Sequence, residues 1–74
     1  MNYYRDNYRH LVCVPYSIAN LHLMANKLKI KSHWFHKDHY DIPKKMINDK
    51  NLIENTKLIT SKEIVKIIKG TFKE

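Results

Sequence analysis

Three of the five histidines fall inside one short segment, Ser32-His33-Trp34-Phe35-His36-Lys37-Asp38-His39-Tyr40-Asp41. Imidazole titrates near neutrality, so it can act as acid, base or metal ligand. Asp38 and Asp41 lie close enough in sequence to orient one of these rings or to join it around an ion. His39 is the candidate acid–base and Asp41 its orienting carboxylate, with phosphate handling as the chemistry. His22, on the first predicted helix, could line a pocket shared with this loop.

Other chemistries fit poorly. Zinc ligands usually come as paired Cys and His at regular spacing. Here the single cysteine, Cys13, sits in an apolar run and reads as a buried, reduced thiol. No metal and no cofactor is expected from spacing alone. With Gly70 the only glycine, there is no glycine-rich loop to cradle a nucleotide. Ser17 and Ser61 stand where helix caps are needed and lack the Gly-x-Ser-x-Gly turn of a nucleophile.

A second set of residues suits binding. Tyr4, Arg5, Arg9 and Tyr16, with His33, Trp34, His36, Lys37 and Tyr40, mix rings with cationic groups. Such mixtures stack on bases and contact phosphate. They also make protein–protein hot spots. The 74 residues carry 14 Lys and Arg against 7 Asp and Glu, a net charge of +7, which favours a nucleic acid or an acidic protein as partner.

The elements that must position these residues follow from pattern. Leu11-Val12-Cys13-Val14, cut off by Pro15, reads as a buried strand. Ser17 caps a helix whose apolar face is Ile18, Leu21, Ala25 and Leu28. Ile30 to His36 reads as a second strand and Lys37 to Ile42 as a polar loop. Pro43 opens a second helix with Met46 and Ile47 on its apolar side. Lys57-Leu58-Ile59 is a third strand. Thr60 and Glu63 form a capping box before Ile64, Ile67 and Ile68, and Gly70 ends that helix. A further short strand at Asn2 to Tyr4 is an option. The expected fold class is α/β: one domain over residues 1–74, a small three-stranded, mostly parallel sheet in β-α-β-α-β-α order. In such a sheet ligands sit beyond the carboxyl ends of the strands. The histidine-rich loop would then lie on the working edge, with His10 at the opposite one.

No apolar stretch reaches the roughly 18 residues of a membrane span. Met1 to Arg9 lacks the apolar run of a signal peptide, and a lone cysteine suits a reducing compartment, so the expected location is the cytoplasm.

His10-Leu11, Leu21-His22 with Ala25, Trp34-Phe35, His39-Tyr40-Asp41 and Ser61-Lys62-Glu63-Ile64-Val65 occur in an order that resembles a family, domain of unknown function 4031. The resemblance runs from about Tyr4 to Ile68. Its members are small bacterial or phage-encoded proteins with no activity to carry over, which would place a phage copy in the host cytoplasm. The resemblance raises His10, His22, His39 and Asp41 as site residues. The chain departs from the family at Cys13-Val14, where relatives have a small residue followed by Asp. It departs again at His36, where they have Gln, and it lacks their Ala-Gly element before the last strand. It therefore reads as a diverged member that keeps the scaffold for binding.

Three functional readings follow. The first is a basic, phage-type binding module that engages nucleic acid or a host nucleoprotein or defence complex as an inhibitor. The second is a small phosphate-ester hydrolase or metal-assisted enzyme built on the His/Asp cluster. The third is a structural subunit of a homo-oligomer, as small cores favour association.

Overall fold

The computed structural model describes residues 1–74. The chain forms five strands, β1 (Asn2–Arg5), β2 (His10–Val14), β3 (Phe35–His36), β4 (His39–Asp41) and β5 (Lys57–Leu58), and three α-helices, α1 (Ile18–Lys27), α2 (Lys50–Asn55) and α3 (Ser61–Lys69). Two 3-10 turns, Ser32–Trp34 and Lys44–Met46, link them.

The sheet order is β3-β4-β2-β1-β5. The pairs β1–β2, β2–β4 and β3–β4 are antiparallel, and only β1–β5 is parallel. The expected three-stranded, mostly parallel sheet in β-α-β-α-β-α order is thereby overturned: the sheet is five-stranded, mixed and mostly antiparallel. The error has a physical origin. Leu11, Val12 and Cys13 are fully buried, so β2 is covered on both faces, as its continuous apolar run implies. Two covered faces do not dictate the direction of the neighbouring strands. Parallel sheets are one way to obtain such cover, and helices on both faces of an antiparallel sheet are another.

The local errors are of the same kind. Ile30 to His36 is no strand: Ile30 is buried ahead of a 3-10 turn, and only Phe35 and His36 enter the sheet. The expected loop from Lys37 holds β4, whose Tyr40 is buried between two polar neighbours. Lys37 and Asp38 turn the chain between β3 and β4, with Lys37 at φ 60°. Pro43 precedes a 3-10 turn rather than opening a helix, and α2 begins later, capped by the Asp49 side chain on the Leu52 amide.

Other readings hold. Ser17 caps α1 through the Asn20 amide. Leu21, Ala25 and Leu28 are buried as expected, joined by Met24, while Ile18 is exposed. Thr60 and Glu63 form the capping box of α3, and Gly70 closes it at φ 77°. Ile64 and Ile67 enter the core.

Side chains alternate between sheet faces along a strand, and paired residues share a face. Leu11 pairs with Tyr40 on the face covered by α1. His10 pairs with Asp41 on the opposite face, where α3 packs against β2.

Candidate functional site

The antiparallel pairing of β2 with β4 builds the site. It places His10 directly across from Asp41, and the two-residue period of β4 puts His39 on the same side. One ligand-capable atom from each of His10, His39 and Asp41 lies within 4.8 Å of the others. His39 Nε2 stands 3.2 Å from Asp41 Oδ1. The rings of His10 and His39 meet edge to face with centroids 5.0 Å apart. His36, paired with His39 from β3, extends the row at 5.4 Å.

Each of the two inner rings is held from behind by a carboxylate. His10 Nδ1 contacts Asp6 Oδ2 at 2.7 Å, and His39 Nδ1 contacts Asp38 Oδ1 at 2.8 Å. A carboxylate on Nδ1 makes that nitrogen the donor. On His10 this leaves Nε2 with its lone pair free, while on His39 the Nε2 edge faces Asp41 Oδ1. Asp6 is itself firmly placed. Its side chain is 1% exposed and accepts from Ser61 Oγ at 2.6 Å and from the backbone amides of Tyr8 and His10. Burial, the largest influence, pushes its carboxyl upward. The bonds from Ser61, His10 and the two amides outweigh that and hold the group below the ordinary carboxylate range.

The second carboxylate is placed by the β3–β4 turn, where Tyr16 donates its hydroxyl hydrogen to the Asp38 carbonyl at 2.7 Å. A groove of about 220 Å³ runs beside the cluster, lined by His10, Asp38 and His39 on one side and by Ser61, Ile64, Val65 and Ile68 of α3 on the other. The His10 side chain is 38% exposed and the Asp41 side chain 38%, so a ligand can reach both.

The chain belongs to the DUF4031 family. The family model, described as a protein of unknown function, matches residues 1–71. No curated protein and no solved structure matches this sequence.

Three of the four candidate catalytic residues of this DUF4031 protein therefore converge, and His10 does so against the parallel-sheet expectation. His22 does not join them. It lies on the α1 face, where Nδ1 meets the Tyr40 hydroxyl. Tyr40 is buried and serves the core. Tyr4 is buried against the Phe72 ring, so it too is a core residue rather than a binding one. Trp34 packs partly buried against the core beside His33, and Arg5 Nε is held by Thr56 Oγ1. Arg9 is half-buried, while His33, His36 and Lys37 are exposed. Two of the nine residues of the binding set, Tyr4 and Tyr40, thus lie in the core.

Asp6 and Ser61 belong to the site and were not expected there. The signal for Asp6 was present: Asp-Asn ahead of Tyr8 suits a turn in which the Asp side chain accepts the amide two residues on. Cys13 is buried, and burial pushes its thiol upward, consistent with an inert sulfur. No helix is long and apolar enough to cross a membrane.

Proposed function

We propose that the His10–His39–Asp41 face carries out hydrolysis of phosphate esters, with a nucleic acid or similar polyanion as substrate. The observation that carries this reading is the convergence of two imidazoles and a carboxylate on an open groove, each ring fixed by its own buried or half-buried carboxylate. Rings clamped by carboxylates hold a fixed orientation toward the groove, His10 with Nε2 free and His39 with Nε2 shared with Asp41, and fixed orientation is what acid–base chemistry requires. In the reaction, water oxygen bonds to phosphorus as the ester phosphorus–oxygen bond breaks. The proton that water loses ends on the departing alkoxide. The net charge of +7 supports a polyanionic substrate.

The test is turnover of bis(p-nitrophenyl) phosphate and of short oligonucleotides at low salt. His39→Ala should lose roughly 100-fold or more in rate. His22→Ala, on the other sheet face, should retain the wild-type rate. Equal rates for wild type and His39→Ala would end this assignment.

A second reading, a nucleic-acid-binding module, is favoured by a different observation. The ion pairs of the molecule involve only His10 and His39, so no Lys or Arg is engaged by a carboxylate. These cations stay available for phosphates.

A further inference from the structure

We infer that His10, His39 and Asp41 hold a divalent transition-metal ion, with His10 Nε2, His39 Nε2 and a carboxylate oxygen of Asp41 as ligands. The inference deepens the reading of this face as the working site.

The donor geometry fits. Tetrahedral coordination with bonds of roughly 2.0–2.1 Å sets donors roughly 3.3 Å apart. His39 Nε2 and Asp41 Oδ1 already stand 3.2 Å apart. The complete set lies within 4.8 Å, so small side-chain rotations close it around an ion. All three residues come from two adjacent paired strands, which makes the backbone spacing rigid. Three protein ligands and an open groove leave a coordination position for water, as catalytic sites require.

The outer shell fits as well. Ligating histidines usually donate their other ring nitrogen to a carboxylate, which fixes the ring and raises its basicity. Asp6 and Asp38 occupy that position on His10 and His39 respectively. Asp6 is further anchored by Ser61 from α3, so the outer shell is built from three separate parts of the chain.

Charge gives a third argument. Only 7 residues of this cationic chain are acidic, and Asp6, Asp38 and Asp41 are three of them. They gather around two imidazoles with no Lys or Arg paired to any of them. Three carboxylates against two imidazoles leave the cluster negative even with both rings protonated, a charge that a bound cation would offset. Two imidazoles and one carboxylate select a transition ion such as zinc over magnesium or calcium, which prefer all-oxygen shells.

The experiment uses the full chain stripped with a chelator, titrated with zinc chloride by calorimetry and with cobalt(II) by absorption. One equivalent should bind at micromolar concentration or tighter, with a visible cobalt spectrum of low-symmetry coordination. His10→Ala, His39→Ala and Asp41→Asn should each abolish it. Asp38→Asn, a half-exposed position that the core does not need, should weaken binding roughly 10-fold or more. His22→Ala and His33→Ala should bind as wild type. Absence of stoichiometric binding, or equal loss in the His33→Ala control, would overturn the inference. Phosphate-ester turnover that persists in chelator with no ion bound would remove the metal and leave the hydrolytic reading intact. Stoichiometric binding without turnover would do the reverse.

Discussion

Asp6 shows how a residue with no motif around it can decide both stability and site geometry. Its two oxygens accept four hydrogen bonds, two from backbone amides of the β1–β2 turn, one from His10 and one from Ser61. Its carboxylate ties β2 to the start of α3. Removing one partner of a buried charged network leaves the others unsatisfied, at about 1–3 kcal/mol for each group exposed to that loss. Asp6→Ala should therefore destabilise the chain by about 3 kcal/mol, read as a lower midpoint in urea unfolding. A midpoint within error of wild type would show that water replaces these bonds at no cost. His39 was legible as a candidate because of the histidine density around it, and His10 through the family resemblance. Their convergence was not, because it depends on strand direction. His10 and Asp41 are far apart in sequence and meet only through antiparallel pairing.

Among the elements, legibility tracked length and capping. α3 was readable because local chemistry and periodicity agree over nine residues: Thr60 and Glu63 at one end, Gly70 at the other, isoleucines between. β3 and β4 were not, since they span two and three residues and show a single buried aromatic between polar neighbours. Alternation over so short a run carries no period. The hairpin instead draws its stability from tertiary contacts, with Tyr40 packed in the core and Tyr16 bonded to the turn. The α3 terminus allows a clean test. Gly70 lies at φ 77°, its amide and that of Thr71 close the helix on Ile67 and Lys66, and a methyl group there would meet nothing within 4 Å. Gly70→Ala should thus cost only the left-handed backbone penalty, about 1 kcal/mol, measurable as a small fall in unfolding free energy. A loss several times larger would mean that the C-terminal segment, through Phe72 on Tyr4, depends on this turn.

At the scale of the whole molecule, three of the seven acidic residues gather at the histidine cluster, while no lysine or arginine forms an ion pair. Lys62, Lys66 and Lys69 are exposed along α3 at helical spacing, on the helix whose Ile64, Val65 and Ile68 line the groove. A polyanion lying along α3 would bring its phosphates past the cluster, which is where the proposed hydrolysis takes place. Net charge was legible in composition, but this arrangement was not, because it depends on which face of α3 meets the sheet. Each phosphate neutralised releases counterions, so log K should fall linearly with log salt, by about 0.7 per contact on single strands. Fluorescence anisotropy with a labelled single-stranded oligonucleotide should show such a slope. The triple variant Lys62→Gln, Lys66→Gln, Lys69→Gln should flatten it by about 2 if all three lysines contact phosphate. An unchanged slope would move the binding surface elsewhere on the molecule. It would also separate the cationic face of α3 from the His10–His39–Asp41 cluster beside it.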